Sequence, residues 1–186
     1  MPSTIRLAFA VLTILLPLAA CSSQGADLPL LQTTRTDEAN YRLGPGDKLH
    51  VQVLGAEDLT GDYVVGDNGT VSTPMIGDVK AAGLTRAQLE REMERKLAQG
   101  YIKNPKVSAT ILAYRPFYIY GEVTKPGEYP YASGMRVMSA VATAGGYTYR
   151  ANQNYVVVTR HGEERKALPG TPIQPDDVIR VPERYF

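Results

Sequence analysis

The chain has a single cysteine, Cys21, among its 186 residues. No internal disulfide can form, so burial and hydrogen bonding must hold whatever fold it adopts. The residues ahead of Cys21 give it a different use. Arg6 supplies a positive start, Leu7 to Leu18 (LAFAVLTILLPL) is apolar, and the small residues Ala19 and Ala20 come next. That order matches a cleavable signal peptide. The apolar stretch falls well short of the ~20 residues that span a bilayer, and Pro17 sits near its end.

The ending Leu18-Ala19-Ala20-Cys21 resembles a bacterial lipobox, in which the cysteine is diacylated and becomes the new N-terminus after cleavage. An ordinary signal peptide with an incidental cysteine is the alternative. The lipobox implies a signal peptide over residues 1–20, a lipid on Cys21, and a chain tethered in the cell envelope. Ser22, in place of an Asp, implies the periplasmic face of the outer membrane. Arg6 is the one charged side chain of the first 20 residues, so the remainder carries 19 bases against 19 acids. Such a balance gives no electrostatic case for a nucleic-acid partner.

Residues 21–40 are polar and without sustained period, and read as a linker. Ordered sequence starts at Tyr41. Gly44-Pro45-Gly46-Asp47 is a turn signal, and Asp47 is expected to accept backbone amides there; a catalytic Asp47 is the competing reading. Lys48 to Val53 alternates apolar and polar residues as a half-buried strand does. Asp62 to Pro74 reads as a hairpin whose Asp67-Asn68-Gly69 suits a type I′ turn. A calcium loop there lacks the spaced carboxylates and distal Glu it would need.

Thr85 to Ala98 is the clearest helix. Thr85 and Gln88 have capping-box spacing, and Leu89, Met93 and Leu97 share one face. Its charge run, from Glu90 to Lys96, reads as a solvated face serving solubility alone. A second alternating strand follows over 106–113. Beyond Arg115-Pro116 come a strand at 117–121, a type II turn at Lys125-Pro126-Gly127 and a return strand at 129–131. A helix opening at Ser133 or Gly134 and closing at Ala144-Gly145-Gly146 precedes strands at 155–159 and 177–181. The expectation is an α+β protein of two modules, 41–113 and 114–186.

The ordered set LGPGD, the following strand, Gly69, the Pro74-to-Gly77 step and the Gly-Leu-Thr helix entry resembles the polysaccharide export domain of Wza-type outer-membrane lipoproteins. Gly121-Glu122-Val123, Pro126-Gly127 and Ala144-Gly145-Gly146 resemble the SLBB module, a β-grasp-like fold proposed to bind soluble ligands. The resemblance implies a homo-oligomeric ring, octameric in the best-known members, with polymer in its lumen. It also implies an inner-membrane polysaccharide copolymerase as partner. This sequence departs from long members in having one SLBB-like module and in ending at Phe186 without a C-terminal amphipathic helix. The expectation is therefore that a separate outer-membrane barrel protein completes the path, or that the chain forms a periplasmic collar only.

The motif glycines and prolines set turns, so shape is their expected role. Glu122 is expected to make a structural hydrogen bond or a subunit contact. An enzyme reading finds little: His50 and His161 are isolated in sequence, and no phosphate loop or metal spacing is present, so no cofactor or metal is expected. Asp58 and Asp62 read as solvated surface. A non-transport, glycan-binding envelope lipoprotein remains the alternative. Tyr118 and Tyr120 share a strand face in a chain with 12 tyrosines and no tryptophan, and either sugar stacking or packing would use them.

Overall fold

The alternation Leu49, Val51, Val53 puts three apolar side chains on one face of β1 (Lys48–Val53), and all three are buried. The computed structural model describes residues 25–32 and 38–184; Cys21 and the segment before it lie outside these. β1 is the middle of a three-stranded antiparallel sheet, between β2 (Gly61–Val64) and β5 (Val107–Ala113). β3 (Thr70–Thr73) and β4 (Gly77–Lys80) form a separate two-stranded hairpin. α1 (Arg86–Leu97) covers the sheet and buries Leu89, Met93 and Leu97. Its start is a full capping box: the Gln88 amide donates to Thr85 Oγ1 at 3.3 Å and the Thr85 amide to Gln88 Oε1 at 2.8 Å.

The second half has its own core, built from Phe117, Ile119, Val141, Val156, Val158, Ile179 and Val181 among others. Its sheet runs β7-β6-β10-β8-β9, from β6 (Phe117–Gly121), β7 (Gly127–Tyr129), β8 (Val156–Arg160), β9 (Glu163–Ala167) and β10 (Val178–Val181). β10 runs parallel to β6 and antiparallel to β8. α2 (Val137–Thr143) lays Val137, Ala140 and Val141 on the inner face. The mixed helices and sheets are those of an α+β protein.

Several sequence expectations need correction. The proposed hairpin over 62–74 does not form: β2 pairs with β1, and β3 pairs with β4. Neither Asp67 nor Asn68 has positive φ, so the turn is not type I′; Gly69 alone takes the left-handed region, at φ 76. Gly66 and Thr70 share one bond of 2.8 Å, after which Asn68 Oδ1 takes the Thr70 amide and the strands part. Gly127 also lacks positive φ, which rules out the type II turn. The 122–126 connection bonds instead to the end of α2, Thr124 N to Gly146 O and Lys125 N to Ala144 O. The return strand consequently begins at 127, two residues earlier than expected. α2 starts later than expected because Met135 and Arg136 are extended, bonding Ile173 and bridging Pro172.

The polar segment 21–40 is not simply a linker. Residues 25–31 lie along β9 as a strap: Leu31 N donates to Lys166 O at 2.7 Å and Lys166 N to Pro29 O at 3.0 Å. Lys166 Nζ reaches Ala26 O at 3.1 Å and stands 4.6 Å over the Tyr155 ring, while Leu31 packs on the second core.

Nor does the charge run on α1 serve solubility alone. Glu90 Oε1 accepts the Ala109 amide at 2.9 Å and Glu94 Oε1 accepts the Val107 amide at 3.1 Å. Two carboxylates one helical turn apart thus satisfy the open edge of β5, which would otherwise be a template for another strand. Replacing both by alanine is expected to cost about 3–6 kcal/mol, each lost charged hydrogen bond being worth ~1.5–3, and to promote aggregation. Urea denaturation checks this, with Glu92→Ala, which breaks only a surface pair with Arg95, within about 0.5 kcal/mol of wild type. Equal losses for the two variants would refute the edge role.

Candidate functional site

Residues 44–47 turn the chain directly into β1, and the turn aims Asp47 inward, where it has no solvent exposure. Its backbone is tied to the strand end at Val65, by Gly46 N to Val65 O at 2.8 Å and Val65 N to Asp47 O at 2.9 Å. The carboxylate collects donors from three directions. The Gly44 amide reaches Oδ2 at 2.8 Å, the Tyr41 hydroxyl lies 2.8 and 2.9 Å from the two oxygens, and the Arg115 amide reaches Oδ1 at 2.9 Å. Arg115 Nε lies 3.6 Å from Oδ1. Burial pushes the Asp47 carboxyl above its ordinary range, while the Gly44 amide, Tyr41 and Arg115 pull it back. Burial and the neighbouring Asp47 hold the Tyr41 hydroxyl protonated far above the usual tyrosine range, so it stays a donor.

Arg115 belongs to the three-residue connection between β5 and β6, and Pro116 after it restricts its backbone to extended conformations. Its side chain also reaches Tyr41 Oη at 3.3 Å and Asp176 at 3.9 Å. The Asp176 amide in turn donates to Pro116 O at 2.8 Å. A ladder of rings runs alongside: Tyr114 meets Tyr41 edge-on at 4.9 Å and Tyr131 at 5.5 Å. A Cβ on Gly44 would lie 2.4 Å from Arg115 Nη1, so a side chain there would have to displace the guanidinium. Beside this junction a second buried carboxylate, Asp177, is held by Arg160 through two bonds of 2.8 and 2.7 Å and by the Gln174 amide at 2.7 Å.

The motif residues do not converge on one point. Gly44, Pro45, Gly46 and Asp47 build the junction. Gly69 precedes β3, and Pro74 and Gly77 flank the β3–β4 tip. Gly121 ends β6, where a Cβ would lie 2.3 Å from Val181 O, so only glycine allows β6 and β10 to approach there. Pro126 and Gly127 lead into β7, and Gly145 and Gly146 close α2. Glu122 accepts the Thr148 hydroxyl, a structural bond. His50 Nδ1 lies 2.6 Å from Asp62 Oδ1 on an exposed sheet face. Among the described residues no group of three His, Cys, Asp or Glu side chains could hold a metal ion. Reasoning from sequence did not find Tyr41, Tyr114, Arg115, Tyr131 or Asp176 as one cluster. Arg115-Pro116 between two strand patterns was the available signal.

Two family models match the chain in the order of its two cores: polysaccharide biosynthesis/export protein over residues 35–112 and SLBB domain over residues 116–172. The chain belongs to the polysaccharide biosynthesis/export family. Among the chain's relatives is the exopolysaccharide production protein ExoF of Rhizobium meliloti, 40% identical over 141 residues, covering 69% of this chain and 32% of the relative. The polysialic acid transport protein KpsD of Escherichia coli is 30% identical over 125 residues, covering 66% and 22%. The EPS I polysaccharide export outer membrane protein EpsA of Ralstonia nicotianae is 32% identical over 202 residues, covering 88% and 52%. The matched part of this family member thus spans between 22% and 52% of these relatives' lengths. The boundary between the two family models, at 112–116, falls on the Arg115 junction.

Removing the carboxylate should leave Arg115 and three donors without their acceptor. Asp47→Ala is therefore expected to cost about 3–5 kcal/mol in urea denaturation, against about 0–1 for the exposed Asp62→Ala. A loss under ~1 kcal/mol for Asp47→Ala would show that the junction does not depend on this group.

Proposed function

We propose that this protein is a lipid-anchored component of a capsular or exopolysaccharide export machine, acting by assembly and shape, without catalysis. The observation that carries this reading is the pair of family modules in fixed order across residues 35–172. The relatives support it, being named for exopolysaccharide production, polysialic acid transport and polysaccharide export. The motif residues at turns support a role in shape.

Copies assemble as a ring, octameric if it follows the best-known members, and polymer passes through its centre. An inner-membrane polysaccharide copolymerase delivers the polymer. No helix among the described residues is long and apolar enough to cross a membrane. In this proposal a separate outer-membrane barrel protein completes the path. Cys21 carries the lipid that holds the chain at the periplasmic face of the outer membrane, in keeping with the outer-membrane name of EpsA. The domain boundaries follow the same reading: signal peptide 1–20, export domain 41–113 and SLBB domain 114–186, with residues 25–31 docked on β9.

Deleting the gene is expected to abolish external polysaccharide while lipid-linked precursor is still made. Unchanged secretion, in a genome with no second copy, would overturn export and leave a glycan-binding envelope protein. Cys21→Ser is expected to lose fatty-acid labelling and to leave the membrane fraction. Normal labelling or membrane retention would refute the lipid anchor.

A further inference from the structure

Tyr149, in the segment between α2 and β8, is 83% exposed, yet the backbone around it is tied on both sides. The Thr148 amide donates to Glu122 O at 3.1 Å, and the Thr148 hydroxyl bonds the Glu122 carboxylate. On the other side, Arg184 N donates to Arg150 O at 2.8 Å, Asn152 N to Pro182 O at 2.9 Å, and Ala151 bridges Glu183. The loop is therefore fixed while the Tyr149 ring faces water. Next to the ring, Arg150 Nε donates to Glu183 Oε1 at 2.7 Å. Tyr149, Arg150, Glu183 and Arg184 line a shallow cleft of about 250 Å³.

Each feature points to the same class of ligand. A tyrosine on a fixed backbone has only two side-chain torsions to order on binding, so the apolar surface it covers converts efficiently into affinity. A pyranose offers an apolar C–H face for such a ring and a rim of hydroxyls that both donate and accept. Guanidinium donors and carboxylate acceptors at the cleft answer both. Arg150 and Glu183 neutralise one another and Arg184 adds a further positive charge, so the cleft suits a hydroxyl-rich unit, neutral or bearing a carboxylate, better than a cation. Its volume lies below the ~300–1,000 Å³ of pockets that enclose a small molecule, so it fits a single ring touched in passing.

We propose that Tyr149, Arg150, Glu183 and Arg184 form a contact site for one sugar ring of a polysaccharide, with Tyr149 stacking on the ring and the charged groups bonding its hydroxyls. This rests on the export reading for the identity of the polymer. A site that takes one ring at a time binds weakly, as a surface past which a chain must move should.

The protein contains no tryptophan, so Tyr149→Trp places a unique fluorophore at the site and keeps a stacking ring. The probe is a size-fractionated set of oligosaccharides cut from the cell's own secreted polysaccharide, titrated into the full-length protein. A saturable change in tryptophan emission is expected. By calorimetry Tyr149→Ala should bind the same fragments at least about tenfold more weakly, a loss of ~1.4 kcal/mol. Tyr149→Phe and the control Tyr118→Ala should stay within about twofold. No emission change, or equal binding by Tyr149→Ala, overturns the proposal. So does an effect of Tyr149→Ala on oligomer size alone, which would assign the ring to a contact between copies. Gene deletion separates the two readings. Fragment binding without a secretion defect supports the site and overturns export, whereas a secretion defect without fragment binding does the reverse.

Discussion

Taking a carboxylate wholly out of water costs several kcal/mol unless donors surround it, and Asp47 is surrounded by donors from its own turn and from a distant stretch of chain. Gly44 is three residues away, Tyr41 six, and Arg115 sixty-eight. The local donors make the turn that launches β1. The distant one fixes where the chain leaves the first core. A single buried group thus sets both the start of the first sheet and the exit toward the second.

The connection between the halves is only three residues, and its side chains lie on both sides of it. Arg115 touches Asp47 and Asp176, and Tyr114 touches Tyr41 and Tyr131. The charged ladder gives direction and the aromatic ladder gives packing, so the two cores are braced at their meeting point. For a protein proposed to work as part of a ring, this has a direct geometric meaning. Any change in the angle between modules, repeated in each copy, would alter the width of the whole assembly.

Much of the first half was legible from its sequence because its signals are local. The capping box, the Leu89-Met93-Leu97 stripe and the alternation in β1 each depend on neighbours within a few residues. The errors came where the decisive partner is remote. Gly69 and Gly127 look like turn residues of standard hairpins, but distant strands and the end of α2 claim the adjacent backbone. β9 (EERKA) has no apolar alternation to reveal it, since Ala167 is the one buried residue of its five. Glu90 and Glu94 look like ordinary surface charges until β5 is beside them. Of the junction, Asp47 and its turn were visible, while Arg115 and the tyrosines were not, since no spacing rule links residues 41, 115, 131 and 176.

The strap has a further consequence, one of timing. Residues 25–31 are made long before their backbone partner, Lys166. During synthesis this segment has nothing to pair with until β8, β9 and β10 have emerged and formed their sheet. Closing so long a loop must wait for those late strands. Docking of the strap therefore reports that β9 is in place: a chain cut short before β9 would lack the surface that receives it.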